Sequence, residues 1–323
     1  FISSVVPLPG SEYISTSRAI VFGDVNGDGA LDLFSNGGYN GQTQLLVNSI
    51  KPGSFSSATA FPGGMATTTA VAIADFNGDA DLDIYIGNSG RSSELLIGDG
   101  AGGFSTTTVA AGSLSTVAVA HGDVDGDGDL DIVTCQNTAD NIGKAEVLLN
   151  DGAGSFSQVI PLHGSNASTS AVALGDVNGD GTLDILVARA GAAIDLFLNG
   201  GTAGFTHAVL PGDNSTTTTA LALGDVDGDG DLDLISASAG GNTLLLNLDG
   251  EGTFNISVDA FNVTGGSSGQ VSSQVTVTSG SYAYEVRWTL SCNGQNVVTN
   301  GVAPYSATLQ APSGGTCTLA MTD

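Results

Sequence analysis

The nine residues DVNGDGTLD at 176–184 decide the fold. Oxygen-bearing side chains stand at Asp176, Asn178, Asp180 and Asp184, with Gly179 and Gly181 between them. The element recurs as DVNGDGALD at 24–32, DFNGDADLD at 75–83, DVDGDGDLD at 123–131 and DVDGDGDLD at 225–233. Its first Asp falls at 24, 75, 123, 176 and 225, so the spacings are 51, 48, 53 and 49. A fixed period of about 20–50 residues marks a solenoid, a propeller or an array.

Reading outward from each acidic loop, every repeat spells four strands. A short apolar run precedes the loop, such as Ala171 to Leu174. A second follows it directly: LDLF, LDIYI, LDIVT, LDILVA or LDLIS. A Gly-rich connection leads to a third run, QLLVN, ELLIG, EVLLN, DLFLN or TLLLN. A tight glycine turn such as NDGAGSF at 150–156 follows, and a fourth strand is predicted to begin at Phe55, Phe104, Phe156, Phe205 or Phe254. Short β-rich runs bounded by Gly, Asn and Asp clusters are strand-and-turn grammar. No segment holds a long 3.6-residue period, so the chain reads as all-β. One four-stranded sheet cannot cover both its faces alone; stacking such sheets around an axis covers them, which is a β-propeller of five four-stranded blades.

These repeats resemble the FG-GAP/VCBS family of calcium-binding β-propellers, which includes the integrin α-subunit head. The resemblance covers residues 1–259, which form the propeller domain in this reading. It implies bound calcium, and a ligand-binding face away from the calcium loops. Relatives also include many seven-bladed forms and some propellers with attached enzymatic domains.

The loop chemistry leads to calcium independently. Ca²⁺ takes six to eight hard oxygen ligands, and alternating carboxylates or amides with glycine bring them to one point. The predicted ligands are the side chains of Asp24, Asn26, Asp28 and Asp32 with the Ala30 carbonyl, then Asp75, Asn77, Asp79 and Asp83 with the Asp81 carbonyl. The third loop offers Asp123, Asp125, Asp127 and Asp131 with the Asp129 carbonyl. The fourth offers Asp176, Asn178, Asp180 and Asp184 with the Thr182 carbonyl, and the fifth Asp225, Asp227, Asp229 and Asp233 with the Asp231 carbonyl. An EF-hand needs Glu at its twelfth position; here those positions hold Ser35, Ile86, Thr134, Val187 and Ser236. Loop two has Ala80 where the others have Gly, so it is expected to be the weakest or most strained site.

Charge supports this reading. The 323 residues carry 6 Lys+Arg and 33 Asp+Glu, a net charge of −27, and twenty of the acids lie in the five loops. Such a chain lacks the basic footprint of a nucleic-acid binder and is repelled by anionic membranes. It contains no apolar run of about 18 residues that would insert into a membrane. Five divalent ions, ten positive charges, would bring −27 to −17. Sites with a dissociation constant of ~0.1 mM, in ~1 mM calcium, add about 1.4 kcal/mol each. Cytosolic calcium would not fill them, so an extracellular or cell-surface location is expected for about five structural ions. The chain begins at Phe1 rather than Met and is expected to be processed or partial.

By strand order, the calcium loops and the NDGAGSF-type turns share one face. The other face carries the hydroxyl-rich blade-to-blade loops, MATTT at 65–69, GSNASTS at 164–170 and DNSTTTT at 213–219. Glycosylation sequons begin at Asn166 and Asn214 on that face, and at Asn255 and Asn262 near the junction. Glycans there would crowd a ligand site.

One fourth-type strand is left over, because FISSVVPLPG at 1–10 matches FSQVIPLHG at 156–164. Phe1 to Leu8 completes the last blade, or adds to a neighbouring subunit, or belongs with repeats upstream. Five blades closed within the chain is the expectation. From 260 to 323 the acidic loops stop and period-2 strands predict a small immunoglobulin-like β-sandwich. Val286, Trp288, Leu290 and Cys292 alternate on one strand and Cys317, Leu319 and Met321 on another, predicting a Cys292–Cys317 disulfide. A unit this small needs such a staple. Cys135 reads as a buried structural thiol.

No catalytic motif is present. His121, His163 and His207 lie in different repeats without a nucleophile or zinc pattern, and His121 reads as a packing variant. The expected function is a non-enzymatic adhesion or binding module for a glycan or extracellular protein. The alternative is a repeating subunit of a glycosylated filament or coat, whose partners are copies of itself.

Overall fold

The protein is described by a computed structural model. It covers residues 19–36, 43–49, 54–55, 59–60, 68–109, 114–201, 204–210, 217–239, 241–247, 250–252, 254–259, 271–277, 287–292, 295–302, 305–311 and 317–322. The segment 1–8, the sequons at Asn214 and Asn262, and Val286 lie outside these residues.

The described residues contain strands and turns and no helix. Five antiparallel four-stranded sheets follow one another along the chain. The first holds β1 (Ile20–Gly23), β2 (Asp32–Asn36) and β3 (Thr43–Leu46), then, after the small ladder of β4 (Asn48–Ser49) with β5 (Ser54–Phe55), β6 (Thr59–Ala60). The second is β7 (Thr68–Ala74), β8 (Asp83–Asn88), β9 (Glu94–Gly98) and β10 (Phe104–Thr108). The third is β11 (Ser115–Gly122), β12 (Asp131–Asn137), β13 (Gly143–Leu149) and β14 (Gln158–Leu162). The fourth is β15 (Thr169–Gly175), β16 (Asp184–Arg189), β17 (Ala192–Asn199) and β18 (Phe205–Val209). The fifth is β19 (Thr218–Gly224), β20 (Asp233–Ser238), β21 (Gly241–Asn247) and β22 (Phe254–Asp259).

Three fourth strands begin at the predicted Phe. In the first sheet Phe55 instead pairs with Asn48 in the small ladder, and the fourth strand is β6. In the third sheet Phe156 precedes β14 and is buried edge-on against Phe76 of the second sheet, at 6.2 Å between ring centroids. Packing between sheets took that residue out of the ladder.

The core lies between sheets rather than within one. Phe76 and Tyr85 of the second sheet share a cluster with Ile132 and Leu148 of the third. Val133 and Val147 of the third meet Ile185 and Phe197 of the fourth, and Leu186 of the fourth meets Leu245 and Phe254 of the fifth. Second strands are therefore apolar on both faces: β8, β12 and β16 are almost wholly buried. Their Ile, Val and Leu side chains fit a doubly covered pleated surface.

Each joint has a seat and two knobs. The seat is the small residue just before the first loop Asp: Gly23, Ala74, Gly122, Gly175 and Gly224. A methyl added at Gly23 would lie 2.6 Å from Ile73 Cδ1 and 2.9 Å from Leu82 Cδ1 of the next sheet. At Gly175 it would lie 2.7 Å from Leu223 Cδ1 and 2.9 Å from Leu232 Cδ1. At Gly122 the neighbours are Leu183 Cδ1 at 2.5 Å and Leu174 Cδ1 at 3.5 Å. Glycine stands there because the neighbouring side chains occupy the space of a Cβ.

The expected closure of five blades is not what the described residues show. The first sheet does not pack on the fifth as each sheet packs on its successor. The residue after the first loop Asp is buried in four sheets, at 3% for Val25 and 1% for Phe76, Val124 and Val177, but Val226 is 50% exposed. Gly224 has nothing within 4 Å of the position of a Cβ. At the other end the knobs Phe22 and Leu31 are 56% and 60% exposed. Among the described residues, the fifth sheet's seat and the first sheet's knobs are not packed against each other.

Beyond it, β23 (Val271–Val277) pairs with β26 (Tyr305–Ala311), and β24 (Arg287–Cys292) lies between β25 (Gln295–Val302) and β27 (Cys317–Thr322). The register sets Trp288 opposite Met321, Leu290 opposite Leu319 and Cys292 opposite Cys317.

Candidate metal rim

Each acidic loop is a tight turn held by its own carboxylates. The first Asp accepts the N–H five residues on through Oδ2: Asp24 from Gly29 at 2.7 Å, Asp75 from Ala80 at 2.8 Å, Asp123 from Gly128 at 3.0 Å, Asp176 from Gly181 at 2.9 Å and Asp225 from Gly230 at 3.1 Å. The fifth residue then accepts from the seventh, as Asp28 does from Ala30, Asp79 from Asp81, Asp127 from Asp129, Asp180 from Thr182 and Asp229 from Asp231, at 2.8–2.9 Å. These bonds wind the chain so that oxygens at alternate positions gather.

In two loops the gathering is purely carboxylate. One oxygen each of Asp123, Asp125 and Asp127 lies within 4.8 Å of the others, and so do those of Asp225, Asp227 and Asp229. In loops one, two and four an Asn amide replaces the middle carboxylate, and Asn26, Asn77 and Asn178 each accept the N–H two residues on. Burial and then the charge of Asp127 hold the Asp125 carboxyl above its ordinary value; burial likewise raises Asp227, beside Asp229. In loop four, hydrogen bonds from Thr182 hold Asp180 lower.

The ninth residue has a second task. Asp32, Asp83, Asp131, Asp184 and Asp233 are buried, and each carboxylate accepts two backbone N–H groups. One comes from the second loop residue, Val25, Phe76, Val124, Val177 or Val226, at 2.8–3.1 Å. The other comes from the end of the third strand, Asn48, Gly98, Asn150, Asn199 or Asn247, at 2.7–2.9 Å. Burial raises the Asp32, Asp83, Asp131 and Asp184 carboxyls, opposed by these N–H donors. A carboxylate has about four lone-pair sites, so two bonds leave oxygen capacity for a cation.

The donor set is hard oxygen throughout, the kind a divalent cation such as calcium takes, and in the loops at 123–127 and 225–229 three carboxylate oxygens lie within 4.8 Å of one another. Six Lys+Arg in the whole chain cannot neutralise the twenty loop acids. Residues at positions one, three, five and nine would hold the ion, and the seventh-position carbonyls of Ala30, Asp81, Asp129, Thr182 and Asp231 are the further ligands the sequence proposes. Loop two differs in backbone: Ala80 sits at φ 72°, where its counterparts Gly29, Gly128, Gly181 and Gly230 sit at 86–99°. A left-handed alanine costs about 1–2 kcal/mol.

Neighbouring loops are tied together. Asn150 donates through Nδ2 to the Phe76 carbonyl at 2.7 Å, Asn199 to Val124 at 2.6 Å and Asn247 to Val177 at 2.6 Å. In each case the acceptor is the second loop residue of the preceding sheet. The same amides reach their own loops at Leu130, Leu183 and Leu232. The second sheet has Gly98 at this position and no such clamp. The third-to-fourth-strand turns join the same rim, since Gly27, Gly78 and Gly179 each face a carbonyl of the next sheet's turn, at 3.6 Å from an added Cβ to Gly100, Gly152 or Gly250.

A model of the FG-GAP-like repeat matches residues 24–86, 75–134, 136–187 and 176–236, about two thirds of the chain. This chain belongs to the FG-GAP-like repeat family. No curated protein matches it. Among solved structures, a chain in the crystal structure of BBS1N in complex with ARL6DN, soaked with lead, is similar at 14% identity. That match covers 74% of this chain and 80% of that one, with a TM-score of 0.41.

The opposite rim of this FG-GAP array holds a group that sequence reading missed. Arg189 and Asp195, each 1% exposed, form an ion pair through Arg189 Nε. Asp195 also meets His207 Nε2 at 2.8 Å and accepts the Ser165 N–H at 3.3 Å, while Arg189 Nη1 donates to the Ala167 carbonyl at 3.1 Å. His207 stacks on Phe197 with centroids 4.9 Å apart. The cluster thus pins the loop that carries the exposed sequon residue Asn166. The available signal was an Arg inside an apolar strand, at a position held by Asn88, Gln136 and Ser238 in other repeats. His121 packs edge-on against Phe76 at 5.7 Å, and burial lowers its pKa. Cys135 is a buried free thiol pushed up to about 12 by desolvation.

Proposed function

We propose that this FG-GAP chain is a calcium-stabilised, non-enzymatic adhesion or binding module that works outside the cell. The observation that carries it is the rim of five like-built acidic loops, each wound by its own carboxylates, with the second, third and fourth tied to their successors through Phe76, Val124 and Val177. Calcium would neutralise that rim and fix the relative positions of the sheets. The opposite rim would then present its loops as a rigid surface to a glycan or an extracellular protein. The His207–Asp195 contact supports a structural reading of that histidine, because its Nε2 is held by a carboxylate already bonded to Arg189.

Oxidising surroundings fit the same reading. Directly opposed residues on antiparallel strands have Cα atoms about 4.5–5.5 Å apart, within disulfide range. The register of Cys292 with Cys317 therefore supports the bond between them. The test is binding of the full chain to an array of glycans and matrix proteins, in millimolar calcium and again after chelation. Calcium-dependent retention on a defined group of ligands is the expected result; identical blank arrays in both conditions would refute a binding role.

A second reading, a repeating subunit of a filament or coat, is favoured by the exposed apolar faces at the two ends of the array.

A further inference from the structure

The two ends of the array are the two halves of one joint. Inside the chain, a sheet offers its successor a small seat and a buried residue just after the first loop Asp. The successor offers two apolar knobs, at the positions of Ile73 and Leu82, and an amide clamp from the end of its third strand. The contact between Phe76 and His121, at 5.7 Å, shows which positions meet: the residue after the first Asp touches the residue two before the next first Asp.

The fifth sheet carries an unfilled seat. Gly224 has open space around it, and Val226 and Ile235 are 50% and 42% exposed. Ile235 corresponds to Phe34, Tyr85, Val133 and Leu186, all buried at 1% or less. The first sheet carries the unused knobs, Phe22 and Leu31. It also carries Asn48 at the clamp position, whose Nδ2 bonds its own loop at Leu31 as the other clamps bond theirs. The carbonyl corresponding to Phe76, Val124 and Val177 is that of Val226. Among the described residues of one copy these two halves do not pack together as successive sheets do.

We infer that the seat at Gly224 and Val226 receives the knobs Phe22 and Leu31 of a second copy, giving a head-to-tail joint built like those inside the chain. The interface is heterologous, so each added copy leaves one seat and one set of knobs free, and assembly continues unless it closes into a ring. Apolar side chains that are half exposed in one copy become buried, and the Asn48 amide gains the Val226 carbonyl.

Gly224→Leu tests this. The position is outside the left-handed region and nothing lies within 4 Å, so the side chain fits a single copy and fills the seat. Sedimentation velocity of the full chain in millimolar calcium should show mass rising with concentration. Gly224→Leu should abolish that rise at unchanged melting temperature, and Phe22→Asp, at the exposed knob outside the acidic loop, should do the same. Mixing a Phe22→Cys variant with a Val226→Cys variant should give a crosslinked dimer under oxidation. A wild-type chain that stays monomeric at every concentration overturns the inference. So does a Phe22→Cys/Val226→Cys double variant that crosslinks only within one chain, since the ends would then close on themselves. Calcium binding is read separately, so failure here is distinct from failure of the calcium reading.

Discussion

The two rims of the array are built on different principles. On the acidic rim one arrangement occurs five times, and the same backbone N–H groups meet the same carboxylate positions in every sheet. On the opposite rim the buried group of Arg189, Asp195 and His207 occurs once, in the fourth sheet. The repeated rim carries acidic charge that no buried cation answers among the described residues; the unique cluster neutralises its charge internally. The first should therefore answer to calcium, and the second should not.

Removing calcium is expected to have the largest effect. Five sites at about 1.4 kcal/mol each sum to about 7 kcal/mol, a large part of a typical domain's stability. A melt in chelator should fall far below one in millimolar calcium. Its pH dependence should also change sign. Burial raises the folded-state carboxyls of Asp32, Asp83, Asp131 and Asp184 above 3.8, so the metal-free fold binds protons more readily than the unfolded chain. Their favourable contribution is present at low pH and is lost as pH rises from 3.8 through the folded values. The metal-free chain should gain stability on mild acidification, whereas the calcium form should lose it as protons displace the ion.

Asp195→Ala is next. It leaves the Arg189 guanidinium buried without its partner and should cost about 3–5 kcal/mol by denaturant titration. The loss should be the same with and without calcium; a calcium-dependent loss would break the contrast between rims. Asn199→Ala should cost about 1–3 kcal/mol, because it strips a donor from the buried Val124 carbonyl. That loss should be greater in calcium than in chelator if the clamp carries order between loops. Ala80→Gly is the smallest and opposite in sign. Relief of the left-handed backbone should stabilise the chain by about 1 kcal/mol and tighten the second site, seen as a higher midpoint in a calcium-dependent melt.

What could be read from sequence divides along the same line. The strand order, the loop positions and the special place of Ala80 were legible because five copies repeat the pattern and one departs from it. Period 2 placed Cys292 and Cys317 on facing strands, and the register sets the two residues opposite each other; the bond between them remains a proposal. The Arg189–Asp195–His207 cluster was not, because its members come from two strands and a neighbouring loop and recur nowhere. Closure of five blades was expected from strand counting. Counting strands says nothing of whether the first sheet meets the fifth, and among the described residues the two do not pack as successive sheets do. The double role of Asp32, Asp83, Asp131, Asp184 and Asp233 was also hidden, since their N–H donors on the third strand lie 14–19 residues away.

The central claim is that the acidic rim is a row of calcium sites. Equilibrium dialysis of the full chain against millimolar calcium, followed by elemental analysis, tests it directly. The account predicts about five calcium ions per chain, falling by one with Asp127→Ala. No calcium retained above the dialysis buffer would contradict it, and the five loops would then be turns stabilised by their own hydrogen bonds.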